Sequence, residues 1–197
     1  MAKNIITEFD SVTITNASVQ FFDGGTQQEG TKFGCVGQHE SETELIEIVK
    51  RCEGIERKKV VKPVKSNNTV SAHIPINVFR DFFGLSNEGL KPGIYSYGTK
   101  SKGKRFIFTA DVVDEFEDVT KLIAFSNCSS TSGLKFTIEN GSEEVALMEL
   151  EFTALPDEHK QIYYESLIPE LEDPTVAEQW HTKFNRELVE ATAEPLP

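Results

Sequence analysis

Apolar and polar residues alternate along much of this chain, and such alternation is typical of half-buried antiparallel strands. Segment 146–152 shows the pattern best, because Ala146, Met148, Leu150 and Phe152 form one apolar face opposite two glutamates. Segments 11–15, 70–76 and 134–138 alternate in the same way, and residues 106–113 are rich in β-branched and aromatic side chains. The sequence therefore predicts a mainly β protein with antiparallel strands.

Turn signals separate the predicted strands. The Asn140–Gly141 pair predicts a hairpin that joins strands over 134–138 and 146–152. The acidic stretch 114–118 predicts a second hairpin turn, which leads into a strand over 121–125. Its carboxylates lack the spacing of a calcium-binding loop, so we interpret the stretch as a solvated turn.

Helices are predicted in two places. Asn77 is positioned to cap a short helix that ends at Gly84 and flanks the sheet. Near the C-terminus, Asp173 is a predicted N-cap and Pro174 a first helical residue. An apolar stripe with i, i+4 spacing follows and predicts one amphipathic helix that docks on another surface: Val176, Trp180, Phe184 and Leu188.

These patterns divide the chain into a β domain over residues 1–160 and an acidic arm over 161–197, whose last four residues are expected to fray. Segment 43–52 has two interpretations. Leu45, Ile48, Val49 and Cys52 are spaced as one face of a helix, but the segment also fits a strand with apolar residues on both faces.

Charge is distributed unevenly. The formal net charge is −12, and the acidic excess lies entirely after residue 138. Segments 54–69 and 98–105 are polar and basic, and we expect mobile loops that are either merely solvated or pair with acidic faces of other copies. A pI near 4.8 argues against nucleic-acid binding by these segments. Their basic residues are Arg57, Lys58, Lys59, Lys62, Lys65, Lys100, Lys102, Lys104 and Arg105.

Catalytic and metal-binding motifs are not found in the sequence. There is no phosphate-binding loop, nucleophile elbow, zinc-protease motif or CxxC pair, and the four histidines are isolated from one another. Cys35, Cys52 and Cys128 have no motif spacing and are expected to be reduced, buried thiols. We therefore expect no enzymatic activity and no cofactor. The N-terminus lacks a signal-peptide pattern, and no apolar run is long enough to cross a membrane, which favours synthesis and folding in the cytoplasm.

An ordered set of short segments resembles the major tail protein, or tail tube protein, of long-tailed phages of Gram-positive bacteria. The set covers about four-fifths of the chain, and no single segment is diagnostic. It comprises GCVG at 34–37, CEG at 52–54, VSAHIP at 70–75, GLKPGIY at 89–95, FTADV at 108–112, KLIAF at 121–125, FTIENG at 136–141 and ALPD at 154–157.

This resemblance implies an antiparallel β-sandwich or barrel with a flanking helix and long hairpin loops. It also implies homo-hexameric rings that stack into a tube through which double-stranded DNA passes, in a virion assembled in the host cytoplasm. Implied partners are the tape measure, tail terminator and distal tail proteins. Segment 43–52 would then be a strand of a long hairpin that continues through 60–64. The alternatives are the tube of a phage-tail-like bacteriocin and a β-sandwich module that binds a carbohydrate or protein.

A tube of this kind has an inner wall, and carboxylates on that wall would repel DNA weakly and let it slide. Glu149 and Glu151 lie opposite the apolar face of their predicted strand and are the first candidates for that wall. Glu42, Glu44 and Glu47 are further candidates if their segment is a strand. The alternative is an acidic outer surface that keeps the particle soluble.

Overall fold

The computed structural model describes residues 6–138, 140–141 and 145–191, and the predicted frayed end at 194–197 lies outside them. The predicted mainly β, antiparallel fold is confirmed. The strands are β1 (Thr13–Asp23), β2 (Thr26–Gln27), β3 (Thr31–Lys32), β4 (Cys35–Cys52), β5 (Ile55–His73), β6 (Phe106–Asp114), β7 (Val119–Ser130), β8 (Met148–Ala154) and β9 (Tyr163–Leu167). The α-helices are α1 (Ile76–Phe83), α2 (Pro174–Gln179) and α3 (Arg186–Val189), and Ile168–Glu170 form a 3-10 turn.

All nine strands of the described residues belong to one antiparallel sheet. Its order is β2-β1-β6-β7-β8-β5-β4, with β3 paired to β1 and β9 paired to β7. Strand β7 is shared along its length: residues 121–125 pair with β9, and residues 128–130 pair with β8. The sheet curves so far that β1 also contacts β4, near the other end of the strand order. This curvature encloses one main core.

The main core is built largely from phenylalanine. Phe33, Phe82, Phe106, Phe108 and Phe152 are fully buried, and successive rings meet edge-on or tilted at centroid distances of 5.2–5.5 Å. Such ring pairs add stabilisation beyond the area that they bury. On β8, Leu150 and Phe152 face this core and both glutamates face away, as the alternation predicts.

A β-bulge in β1 explains why its apolar face is not simply continuous. The register with β6 shifts between Thr15 and Ser18, where Asn16 has a φ of 51°. Before the bulge the even-numbered Ile14 packs against the core, and after it the odd-numbered Ala17 and Val19 do so.

Helix α1 covers one end of the core through Val78, Phe82 and Phe83. It ends at Gly84, whose φ of 70° is the left-handed conformation expected at this position. The predicted cap is wrong, because the helix already begins at Ile76, its N-cap residue is Pro75, and no side chain caps it. Proline fixes a φ that suits helix entry, and the helix starts two residues earlier than a cap at Asn77 predicts.

Segment 43–52 is strand, so the helical interpretation is wrong and the interpretation from the family resemblance is confirmed. The mobile loop predicted over 54–69 is also wrong, because these residues belong to β5 from Ile55 onward. Composition misleads here because pairing with β4, from Cys35↔His73 to Cys52↔Ile55, is a non-local interaction. Residues 98–105 contain no regular element.

The strand predicted over 134–138 is not present, and the hairpin predicted at Asn140–Gly141 therefore does not form. The turn residues 139 and 142 lie outside the described residues. The pairing of β7 with β8 ends at Ser130↔Phe152, and beyond it Glu151 O accepts a 3.0 Å hydrogen bond from Thr131 N. The predicted strand does not continue this pairing, and most of its apolar face has no core to pack on, since Phe136 and Ile138 are 62% and 79% exposed. The acidic turn at 114–118 does connect β6 to β7 as predicted.

Candidate assembly surface

The β4–β5 hairpin extends well past the rest of the sheet. Strand β5 pairs with β8 only from Ser66 to Ala72, so residues 55–65 pair with β4 alone. We call residues 42–65 the ribbon. Its nine paired positions from Glu44 to Cys52 make it about 30 Å long. A two-stranded ribbon of this kind is at best marginally stable in water unless another surface packs on it.

Both faces of the ribbon carry exposed apolar side chains. Leu45 and Val61 lie on the face that continues from the core, and Ile46, Ile48 and Val60 lie on the opposite face. All five are about half exposed, with Leu45 at 56% and Ile48 at 54%. An exposed apolar strand pair is a hazard that monomeric proteins avoid, so this pattern indicates a surface that is covered in an assembly.

The ribbon becomes more basic toward its tip. Nearer the base, Glu44 pairs with Lys65 at 2.9 Å and Glu47 pairs with Lys59 at 2.5 Å. Nearer the tip, Lys50 stands directly opposite Lys58 on the face that also carries Lys62, and Arg57 occupies a bulge. Like charges placed directly opposite one another destabilise a strand pair, which a partner carboxylate would relieve.

At the base of the ribbon the outward face of the sheet is acidic. The cross-strand register places Glu40, Thr69 and Glu151 side by side, with Glu149 and Glu42 in the adjoining rows. These four glutamates are exposed and belong to one face. Lys135 partly neutralises it through a 2.8 Å contact with Glu149. We call this surface the acidic face.

The structure therefore brings together most of the predicted wall residues. Glu149, Glu151, Glu42 and Glu44 share the outward face, whereas the alternation of β4 turns Glu47 to the opposite side, where it pairs with Lys59. Sequence reasoning did not single out Glu40. Once the segment is taken as a strand, Glu40 lies on the same face as Glu42 and Glu44, because alternate residues of a strand share a face.

The basic residues of segment 98–105 occupy different environments. Lys100 and Lys102 are exposed, whereas Lys104 contacts Asp81 at 2.9 Å and Asp23 at 3.6 Å within its own chain. Hydrogen bonding to Asp81 raises the pKa of Lys104. The guanidinium of Arg105 lies 5.2 Å from the centre of the Phe22 ring. Of these four, Lys100 and Lys102 are the better placed to meet another molecule.

The arm residues pack on the sheet of their own chain. Trp180 and Phe184 are buried against Ile107 and Leu122 on the side of the sheet opposite the main core, with Val176 and Leu188 at the margin. The indole Nε1 of Trp180 donates a 3.0 Å hydrogen bond to the carbonyl of Ile123.

One continuous helix from Asp173 through Leu188 is not formed, so that prediction is wrong. Residues 180–185 leave the helix because their backbone groups bond to β1 and its neighbours instead. The buried Gln20 side chain accepts from Phe184 N at 2.8 Å, and Ser18 Oγ donates to the carbonyl of His181 at 2.7 Å. Asn185 then caps α3 through its side-chain oxygen.

The thiols and histidines lie in different environments. Cys128 is buried as expected, but Cys35 and Cys52 are exposed, which corrects that part of the prediction. Burial lowers the pKa of His39, whose Nε2 lies 3.1 Å from the side-chain oxygen of Asn68. Within the described residues, no group of three or more His, Cys, Asp or Glu side chains is arranged to hold a metal ion, and no helix is long and apolar enough to cross a membrane.

The comparison with known proteins gives matches to solved structures, all with low sequence identity and low TM-scores. No protein-family model matches the chain, and no match to a curated protein reaches significance. The tube-terminating cap of the anti-feeding prophage aligns with 83% of this chain and 95% of its own, at 14% identity and a TM-score of 0.43. Hcp1 from Flavobacterium johnsoniae aligns with 77% of this chain and 93% of its own, at 12% identity and a TM-score of 0.36. The anti-feeding prophage baseplate structure aligns with 81% of this chain and 97% of its own, at 11% identity and a TM-score of 0.41. Likenesses with TM-scores this low do not establish a shared function.

Proposed function

We propose that this protein is a structural subunit that assembles with copies of itself into stacked rings, which form the tube of a phage tail. The proposed ring has six subunits, and the proposed tube carries double-stranded DNA without sequence preference. The tape measure, tail terminator and distal tail proteins are the proposed partners. The subunit itself performs no reaction, needs no cofactor and does not insert into a membrane, and its place is the virion after assembly in the host cytoplasm.

One observation carries this proposal: the ribbon has exposed apolar residues on both faces, and none of the described residues covers them. Burying Leu45, Ile46 and Ile48 between neighbouring copies removes this surface from water at about 25 cal/mol per Å2. A closed ring also removes the exposed edge of β4, which ends the strand order. A binding module, the alternative function, gains nothing from a long apolar ribbon of this shape.

Charge supports the same arrangement. The tip of the ribbon is basic at Lys50 and Lys58, and the row of the acidic face nearest the base of the ribbon carries Glu42. Because the two charges lie at opposite ends of one structure, the tip of one copy complements the base of the next. Such a contact joins unlike surfaces, and it closes a ring when it runs head to tail around an axis.

The proposal is tested by Ile48→Lys, which places a charge in the centre of the ribbon. We expect the concentration needed for assembly to rise at least about tenfold, since truncated or charged residues at the centre of an interface have effects of this size. Sedimentation velocity and negative-stain microscopy measure the result. Val12→Lys is the matched control, because Val12 is similarly exposed at 47% but lies outside the ribbon.

The fold of Ile48→Lys is checked by circular dichroism, since the substituted side chain is exposed and its loss does not disturb the core. If the folded variant forms rings at the same concentration as the unsubstituted protein, the ribbon is not an assembly element. If the unsubstituted protein stays monomeric at high concentration and inside its native particle, the proposed function itself is wrong.

A further inference from the structure

The two ends of the β6–β7 hairpin differ in shape and charge. At one end lies the acidic turn, residues 114–118, with the sequence Asp-Glu-Phe-Glu-Asp. At the other end lies a cleft beside Arg105 and Asn127, which we call the Arg105 cleft. Strand β6 runs between them for nine residues, so the two features are about 30 Å apart.

The acidic turn presents one aromatic side chain to solvent in a fixed position. Phe116 is 78% exposed, which is far more than a phenylalanine needs to be in a turn that serves only as a connection. The carboxylate of Asp114 holds the turn by accepting hydrogen bonds from Phe116 N at 2.9 Å and Glu117 N at 3.3 Å. Phe116 is therefore a preorganised, exposed ring with carboxylates on both sides.

The Arg105 cleft has the complementary composition. Its volume is about 420 Å3, within the range of clefts that accept small molecules and side chains. Phe22, Ile107, Tyr164 and Phe184 supply an apolar and aromatic lining. The cleft has room and surface for another aromatic ring, and edge-to-face contacts with such rings are favourable.

Cationic groups stand at the same cleft. Arg105 and Arg186 line it. Arg186 pairs through Nη2 with Glu190 at 3.5 Å, but its buried Nε has no hydrogen-bond partner among the described residues. The acid Asp157 lines the cleft too, but its carboxylate already accepts from Tyr164 Oη at 2.5 Å and from two backbone N–H groups. Glu158 is the other acid there.

The purely basic stretch that ends at Arg105 adds charge to this end of the molecule, since Lys100 and Lys102 are exposed just before β6. We propose that Phe116 of one copy inserts into the Arg105 cleft of a second copy, with Glu117 and its neighbours meeting the cationic rim. The contact joins opposite ends of the same strands, so it repeats without closing and builds a linear stack.

This inference rests on the proposed function and deepens it, because it assigns the contact between successive rings to a named pair of surfaces. Phe116→Ala removes the inserted ring, and Arg105→Glu reverses the rim. In each variant we expect rings to form as before, while the concentration needed for stacking rises at least about tenfold. Phe136→Ala is the matched control, since Phe136 is also exposed, at 62%, but lies outside the turn and the cleft.

Mixing the two variants gives a sharper test. A Phe116→Ala ring keeps an intact cleft, and an Arg105→Glu ring keeps an intact turn, so one productive junction forms between them and no further one. Electron microscopy should show pairs of rings in the mixture and single rings in each variant alone. Long tubes in either variant alone would overturn the contact and leave the proposed ring-forming function standing.

Photo-crosslinking gives an independent readout. With the photoreactive benzoylphenylalanine at position 116, we expect crosslinks between copies to residues of the cleft, such as Phe22 or Phe184. Crosslinks that map elsewhere on the second copy would show that the turn docks on another surface. Absence of rings in the unsubstituted protein is the distinct outcome that contradicts the proposed function.

Discussion

At the scale of single residues, Asp114 is the buried carboxylate with the clearest structural task. It is 1% exposed and accepts from Asp10 N at 2.8 Å as well as from the two N–H groups of the acidic turn. These hydrogen bonds, that from Asp10 above all, hold the pKa of Asp114 below its ordinary value of 3.8. The stability that the ionised Asp114 carboxylate contributes is therefore present at pH values above its ordinary pKa. This stability is lost as the pH falls through the lower pKa of the folded protein.

Asp114→Asn should lower the midpoint of urea unfolding at pH 7, because the neutral amide is the weaker acceptor of these bonds. The difference from the unsubstituted protein should shrink as the pH is lowered into the acid range. Glu117→Gln in the same turn is the control, since that side chain is exposed. A difference that stayed constant from pH 7 to pH 3 would contradict the role of the ionised carboxylate.

The three thiols give a second prediction at this scale. Cys128 is fully buried and burial raises its pKa, whereas Cys35 and Cys52 are exposed. In the native monomer, iodoacetamide should therefore modify Cys35 and Cys52 quickly. It should modify Cys128 only after the protein unfolds. Cys52 lies at the tip of the ribbon, so its modification should slow on assembly. Peptide mass spectrometry measures each site, and fast native modification of Cys128 would contradict the packing of the core.

At the scale of elements, the arm is held by one residue above all. Trp180 is 2% exposed, and its ring meets Phe184 at a centroid distance of 4.7 Å. Trp180→Ala should lower the free energy of unfolding by about 3–5 kcal/mol. Trp180→Phe keeps a ring but loses the hydrogen bond to Ile123 O, so it should cost about 1–2 kcal/mol. Chemical denaturation measures both, and equal effects would show that the hydrogen bond and not the packing matters.

Elements with a clear two-residue period were predictable from the sequence, and those that depend on distant partners were not. The face of β8 followed directly from its alternation. The strand predicted at 134–138 failed because most of its apolar face, Phe136 and Ile138, is exposed and has no core to pack on. The helix predicted across 180–185 failed because Gln20 and Ser18, some 160 residues earlier, bind those backbone groups.

The ribbon shows the same limit at the candidate site. Its sequence reads as a helix in one half and a basic loop in the other, because each strand is stabilised mainly by pairing with the other. The local signal is the two-residue turn Glu53–Gly54, in which both residues have a positive φ. Glu47 was grouped with Glu42 and Glu44 in the sequence, yet alternation places it on the opposite face. Knowledge of the strand register separates these residues, and composition alone does not.

At the scale of the whole molecule, the acidic face decides how DNA would move through the proposed tube. Carboxylates that face a channel repel the phosphate charge, about one per 1.7 Å of duplex axis, and leave the duplex free to slide. Glu149→Lys with Glu151→Lys should leave assembly intact and slow DNA ejection in single-particle assays. Glu88→Lys with Glu178→Lys, two exposed acids outside both the acidic face and the Arg105 cleft, is the control. Normal ejection by the first variant would show that Glu149 and Glu151 do not govern the passage of DNA.

Ionic strength tests the charge contacts between whole subunits. The screening length falls from about 10 Å at 0.1 M salt to about 3 Å at 1 M, so assembly that uses the basic tip should weaken over this range. Lys50→Glu with Lys58→Glu should abolish most of that salt dependence. Assembly that is equally efficient at both salt concentrations would show that the apolar faces of the ribbon act without help from charge.

The central claim is that copies of this chain cover each other's ribbons in a ring. A cryo-electron microscopy map of the protein in its assembled particle tests it most directly. We expect the map to show six-fold rings in which Leu45, Ile46 and Ile48 are buried against neighbouring subunits and the acidic face lines the channel. A map in which the ribbon stays exposed to solvent, or in which the inner wall is formed mainly by lysine and arginine, would contradict it.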